Sequence, residues 1–234
     1  MLSVIRSVTF DLDGTLLDTV PDLAAAANAM LRELGQPEYT EDVIASFIGN
    51  GVAQLVARCL PAANAAEHAD ALHIFRRHYA RENGRRSKIY PGVMQGLQAL
   101  KTAGLPLAVI TNKAAAFTEP LLASTGLAPF FICVISGDSL AEKKPHPLPL
   151  LHACKLFGVP PAENLHIGDS RHDAAAARAA GCPVWLVPYG YNAGEPVRAA
   201  DCDAIVATLD EAAQRVLATH AAVSLSPPDG CRCT

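Results

Sequence analysis

The sequence predicts an α/β fold: a doubly wound parallel sheet with helices on both faces and a separate α-helical module inserted after the first strand. Three observations lead there. Beyond residue 87, short apolar runs alternate with helical stretches, the rhythm of successive strand–helix units. Between the first strand and that region, Leu17 to Arg86 carries helical periodicity with no strand pattern. Each expected strand also ends in polar residues, as in open sheets that bind ligands beyond their carboxyl edge.

The elements follow in order. Val4 to Phe10 reads as a buried strand that runs into Asp11-Leu12-Asp13-Gly14-Thr15. Asp18 or Thr19 can cap the next helix, with Pro21 in its first turn, where a missing N–H costs nothing. Leu23, Ala27, Met30, Leu31 and Leu34 recur at helical spacing until Gly35 stops the run. Helices are expected over Glu41–Phe47, Val52–Leu60 and Ala66–Glu82. Then helices at Gly92–Lys101, Ala115–Ser124, Leu148–Phe157 and His172–Ala180 alternate with strands at Leu105–Thr111, Phe131–Ile135, Leu165–Ile167 and Val184–Val187. A strand at Ala204–Val206 and a helix at Leu209–Ala218 close the pattern. The expected division is a core of residues 1–16 and 87–222, a helical module of 17–86, and a flexible tail of 223–234.

Composition narrows the function. Half of the 234 residues are hydrophobic, enough for a sizeable core without staples. The net charge of −4, with no basic block, argues against nucleic acid as a partner. No apolar run approaches the ~20 residues that span a bilayer, so no membrane partner is expected. Seven scattered cysteines do not form a disulfide framework, and the close pair Cys231-Arg232-Cys233 lacks the further ligands of a zinc site. Arg6 interrupts the first apolar stretch and acidic residues begin at Asp11, so no secretory leader is expected and the expected compartment is the cytoplasm. A monomer or homodimer is expected.

The strand ends carry the chemistry. The first ends in Asp11 and Asp13, the second in Thr111-Asn112; Lys143-Lys144-Pro145 follows the third and Gly168-Asp169-Ser170-Arg171-His172-Asp173 the fourth. Two carboxylates with a carbonyl oxygen suit a hard cation such as Mg²⁺, and lysine and hydroxyl donors suit a phosphate. Each piece alone has an ordinary structural explanation: a turn, a helix cap, a solvated charge. Four together, each after an expected strand, do not.

In these residues the chain resembles the haloacid dehalogenase superfamily, over about Val4 to Ala218. Its four motifs appear in order as Asp11-Leu12-Asp13-Gly14-Thr15, Thr111, Lys144 and Gly168-Asp169 with Asp173. The resemblance implies a Rossmann-like core with a helical cap, and a phosphatase that works through an aspartyl-phosphate. Asp11 is then the nucleophile and Asp13 the general acid and base. Mg²⁺ is held by Asp11, the Asp13 carbonyl and Asp169, with Asp173 orienting its water from outside. Thr111, Lys144 and the amides of Leu12 and Asn112 bind the phosphoryl oxygens. Lys143 is expected to be solvated, and His172 is not required.

Further strings narrow the resemblance to the branch acting on 2-phosphoglycolate: Ile48-Gly49-Asn50-Gly51, Thr111-Asn112-Lys113, Lys144-Pro145-His146-Pro147 and Tyr189-Gly190-Tyr191-Asn192. Relatives acting on sugar phosphates, including N-acetylmuramic acid 6-phosphate, share similar strings. A phospho-accepting signalling domain is the alternative from another class, although it would be about half as long and lack the insert. Gly49, Asn50 and Gly51, directly before a helix, are expected to receive the distal end of the substrate, because glycines allow close approach and a helix start favours an anion.

Overall fold

The structure is a computed structural model that describes residues 4–192 and 196–224. Its core is a six-stranded sheet in the order β5-β4-β1-β6-β7-β8, with every pairing parallel. The strands are β1 (Ser7–Phe10), β4 (Leu107–Ile110), β5 (Cys133–Ile135), β6 (Asn164–Gly168), β7 (Val184–Leu186) and β8 (Ala204–Ile205). β1 lies between β4 and β6, with Val8 opposite both Leu107 and Leu165. Parallel strands covered on both faces read as continuous apolar runs, which is why the sequence shows them.

Helices cover both faces. On one side, α5 (Val93–Thr102), α6 (Ala115–Ser124) and α9 (Leu209–Ser224) pack on Val8, Phe10, Leu165 and Ile167. On the other, α7 (Leu148–Phe157) and the alanine-rich α8 (Arg171–Ala180) pack on Ile110, Ile135, Val184 and Leu186. The inserted module holds α1 (Val20–Glu33), α2 (Glu41–Phe47), α3 (Val52–Cys59) and α4 (Ala65–Glu82), closed on their own core of Met30, Leu31, Ile44, Leu55 and Phe75. Phe117 of α6 joins that cluster and ties module to core. Asn64 and Glu67 form a capping box at the start of α4. Among the described residues, no helix is long and apolar enough to cross a membrane.

Three details differ from the sequence expectation. Leu17–Asp18 is a strand, β2, paired antiparallel with β3 (Lys88–Ile89), so the chain enters and leaves the module as a two-stranded ribbon. Strands of two residues are too short to show a period. Thr19 stands at the N-cap of α1 but makes no side-chain cap bond, because its hydroxyl is used elsewhere. Finally, α9 runs on to Ser224, into the expected tail, since no Gly or Pro interrupts its alanine-rich end. The rest of that tail, with Cys231-Arg232-Cys233, lies outside the described residues.

Candidate active site

The sheet brings the sequence-selected residues to one edge. β1 delivers Asp11, whose amide donates to the Ile167 carbonyl of β6 at 2.9 Å. β4 delivers Thr111, tied by its amide to the Ile135 carbonyl of β5 at 2.9 Å. β6 delivers Asp169. The loop after β5 supplies Lys144, whose peptide bond to Pro145 is cis. Asp11, Asp13, Thr111 and Asp169 line one pocket, and Leu23, Ile48 and Leu55 of the module line its opposite side.

Lys144 is the electrostatic centre. Its side chain is 2% exposed, with Nζ 2.8 Å from Asp11 Oδ1 and 2.6 Å from Asp173 Oδ1. Burial opposes its charge, but Asp11 and Asp173 outweigh that and raise its pKa. Burial drives the Asp11 carboxyl well above the ordinary range; Lys144 pulls it down, and the charges of Asp173 and Asp169 push it further up. Asp169 is pushed up to about 7 by burial and then by Asp173. Asp173 moves the other way: burial works against its charge, yet Lys144 and His166 hold its carboxyl well below the usual range.

Asp173 is fully engaged. Oδ1 takes Lys144 and His166, while Oδ2 accepts from the amide and hydroxyl of Ser170 at 3.1 and 2.6 Å. Ser170 and Asp173 thereby form the capping box of α8. Asp169 is clasped by a backbone and a side-chain donor: the Tyr191 amide donates to Oδ2 at 2.6 Å, and the Thr15 hydroxyl to Oδ1 at 3.3 Å. A Cβ on Gly190 would fall 2.2 Å from Asp169 Oδ2, and one on Gly14 2.4 Å from it, so glycine is required at both.

The donor set fits a hard divalent cation. Asp11 and Asp169 offer carboxylate oxygens, and an oxygen of Asp173, already taken by protein donors, lies with theirs within 4.8 Å. Among the described residues no His or Cys joins them, which favours oxygen-seeking cations. Burial first, and neighbouring carboxylates after it, push Asp11 and Asp169 up, and a bound cation would offset both effects.

Asp13 has a different environment. Its Oδ1 accepts from Thr19 Oγ1 at 2.6 Å and from Lys113 Nζ at 2.8 Å. Lys113 is buried and lies 5.0 Å from the ring centre of Tyr79 in α4. Thr111 Oγ1 accepts from the Lys113 amide at 3.2 Å, which leaves its own proton available. Among the described residues, the amides of Leu12 and Asn112 donate to no other protein group.

The 49–51 loop divides. Gly49 and Gly51 line the pocket, whereas Asn50 borders a separate groove with Gln54 and the Lys143–Pro147 loop. Positive φ at both glycines, +120° and +84°, turns the chain around Asn50 and accounts for the difference from expectation. Asn112 Nδ2 donates to the Gly49 and Lys144 carbonyls, both at 2.9 Å. Lys143, although exposed, donates to the Asn50 carbonyl at 3.1 Å and so clasps the same loop. His172 lies beside Gly49 and does not line the pocket.

The family model described as haloacid dehalogenase-like hydrolase matches residues 8–187. The chain belongs to the haloacid dehalogenase-like hydrolases. Its relatives in this family include the phosphoglycolate phosphatase of Thiobacillus denitrificans, 53% identical over 91% of this chain and 96% of that one. The phosphoglycolate phosphatase of Nitrosospira multiformis is 50% identical over the same shares. The crystal structure of a predicted phosphoglycolate phosphatase from Haemophilus somnus superposes with a TM-score of 0.83 at 34% identity, covering 92% of this chain and 99% of that one. As a member of the family with such relatives, the chain is a phosphoric monoester hydrolase.

Sequence reasoning left three of this hydrolase's site residues without a role. Lys113 sits in the quoted Thr-Asn-Lys string, but a lysine in a loop reads as solvated. Thr19 reads as a cap. Tyr191 reads only as part of a string; in the fold its amide holds Asp169, and its hydroxyl accepts from the Thr19 amide at 2.7 Å, at the start of α1.

Proposed function

We propose that the chain hydrolyses 2-phosphoglycolate to glycolate and inorganic phosphate through an aspartyl-phosphate on Asp11. The observation that carries this reading is the contrast between two aspartates two residues apart. Asp11 faces Lys144, while Asp13 is held by Lys113 and Thr19. This contrast supports attack by the first carboxylate and proton transfer by the second.

In the first step an Asp11 oxygen attacks phosphorus, the phosphorus–ester oxygen bond breaks, and Asp13 gives its proton to the departing glycolate oxygen. Lys113 and Thr19 both engage Asp13 Oδ1, so Oδ2 is the oxygen left to carry that proton. In the second step water attacks the phosphorus of the acyl phosphate, Asp13 takes the water's proton, and the bond to Asp11 breaks. Lys144, the Thr111 hydroxyl and the amides of Leu12 and Asn112 hold the phosphoryl oxygens throughout, since such transfers depend on positioning and charge neutralisation. A divalent cation, Mg²⁺ by its donor set, held by Asp11, Asp169 and the Asp13 carbonyl, would supply further neutralisation of phosphoryl charge. Asp173, its oxygens taken by protein donors, would bear on that ion through Lys144 and not by the water contact expected of it.

The substrate assignment draws on the names of the relatives and on the small, partly apolar pocket under the module. The distal carboxylate is assigned to the backbone at Gly49 and Gly51, where α3 begins with no side-chain cap. A panel of phosphate monoesters, compared by kcat/KM with Mg²⁺, tests this. 2-Phosphoglycolate should exceed ethyl phosphate and N-acetylmuramic acid 6-phosphate by at least about ten-fold, near 1.4 kcal/mol. A preference for the sugar phosphate would replace the substrate. With acetyl phosphate, labelling that stops at one phosphate per chain would replace the enzyme reading with a signalling one.

A further inference from the structure

One face of the two central strands is polar where a parallel sheet is ordinarily apolar. Ser7 and Thr9 of β1 stand directly opposite Asn164 and His166 of β6, and all four are fully buried. The alternate positions Val8, Phe10, Leu165 and Ile167 are apolar. The polar side chains form one hydrogen-bonded line. Ser7 Oγ donates to Asn164 Oδ1 at 2.8 Å, and Asn164 Nδ2 donates to Thr9 Oγ1 at 3.2 Å. Thr9 Oγ1 meets His166 Nδ1 at 3.0 Å, and His166 Nε2 meets Asp173 Oδ1 at 3.1 Å.

The direction of the line follows from its end. A carboxylate only accepts, so Nε2 carries the proton. With Nε2 protonated, Nδ1 accepts from Thr9 Oγ1 at 3.0 Å, a shorter contact than the 3.4 Å from that hydroxyl to the Leu165 carbonyl. Each donor then points toward Asp173, and hydrogen bonds aligned in this way reinforce one another. Gly168, next on the same face, leaves the space that Asp173 fills: a Cβ there would lie 2.3 Å from Asp173 Cγ.

Burying four polar side chains costs desolvation that an apolar face avoids, so packing alone gives no reason for them. The line has one outlet, Asp173 Oδ1, the same oxygen that Lys144 contacts at 2.6 Å, and Lys144 in turn lies 2.8 Å from Asp11. We propose that His166 is a positioning residue for the reaction: through Asp173 it fixes the Lys144 ammonium beside the Asp11 nucleophile. Without the His166 donor, Oδ1 is held by Lys144 alone while Ser170 still holds Oδ2, so the carboxylate can pivot about Oδ2 and Lys144 is less firmly placed. Ground-state binding changes little; alignment in the transition state is lost. This role rests on the assignment of Asp11 and Lys144 given above.

Steady-state kinetics on p-nitrophenyl phosphate, well below the melting temperature, test it without reference to the natural substrate. His166→Leu should lower kcat about ten-fold or more, with KM within about three-fold of the parent. His166→Gln, whose Nε2 can still donate to Asp173, should restore kcat to within about three-fold. Thr9→Val removes the donor that fixes the ring tautomer and should lower kcat in the same sense. It carries the test if His166→Leu does not fold. Lys144→Ala should lower kcat about 10²-fold, leaving measurable turnover, and adding His166→Leu should then cost nothing more. Full kcat in folded His166→Leu or in Thr9→Val, equal losses in the Leu and Gln variants, or additive losses with Lys144→Ala would overturn the role. A Lys144→Ala enzyme with the parent's kcat would instead remove the Lys144 assignment, and this role with it.

Discussion

Lys113 Nζ lies 2.8 Å from Asp13 Oδ1 and 5.0 Å from the ring centre of Tyr79, so one buried cation joins Asp13 to a helix of the inserted module. Burial opposes the lysine's charge, but Asp13 more than offsets that and keeps it protonated. Lys113→Met should therefore lower kcat by about 10²-fold, in line with loss of a preorganised donor. Thr19→Val, which removes the second donor to the same oxygen, should cost less. Near-parent kcat in Lys113→Met would contradict the role of this pair.

Asp22, fully buried in α1, accepts from the amides of Gly84, Arg86 and Ser87 and from the Ser87 hydroxyl. It staples the outgoing end of the module to its beginning. Asp22→Ala leaves these donors unpaired and should destabilise the protein by about 2–4 kcal/mol. Calorimetry should show the melting temperature falling by roughly 5–10 °C. An unchanged melting temperature would mean that water replaces the carboxylate.

Gly190 touches the Asp169 carboxylate with nothing to spare. Gly190→Ala would place a Cβ 2.2 Å from Asp169 Cβ and Oδ2, so the carboxylate has to move. Mg²⁺ affinity measured by titration calorimetry should fall at least about ten-fold. Unchanged affinity would place the cation away from Asp169.

Without metal, Asp169 sits at about 7, raised by burial and by Asp173, against an ordinary carboxyl value of about 3.9. A carboxyl raised in the folded state favours folding below its unfolded value, and that contribution is lost as pH rises through the folded one. The metal-free protein thus loses it between about pH 4 and 7. A bound cation neutralises the same charge. Mg²⁺ should therefore raise the melting temperature more at pH 8 than at pH 5, and equal shifts at both would contradict the arrangement.

Much of this was readable from the residues alone. Asp11, Thr111 and Asp169 stand at strand ends and Lys144 in the loop after another, and a parallel sheet gathers its carboxyl ends at one edge, so spacing in sequence becomes proximity in space. Lys113 could not be read the same way. Its burial depends on Asp13, a hundred residues earlier, and on Tyr79 in a different helix. Asn50 and its flanking glycines read as one loop, and only their backbone angles separate the residues lining the pocket from the one that does not. The β2–β3 ribbon leaves no periodic trace. His166 alternates correctly with Leu165 and Ile167, yet nothing in the sequence shows that Ser7, Thr9 and Asn164 share its face until β1 and β6 are paired.

The most direct test is chemical trapping of the intermediate. Enzyme mixed with 2-phosphoglycolate and Mg²⁺ is quenched within one turnover and treated with borohydride, which reduces an acyl phosphate to an alcohol. Peptide mass spectrometry should find homoserine in place of Asp11, dependent on substrate and absent from the Asp11→Asn variant, which should lose at least ~10³-fold in kcat. Product formed in the same interval with Asp11 unmodified, or with the alcohol at another carboxylate, would contradict the covalent role of Asp11.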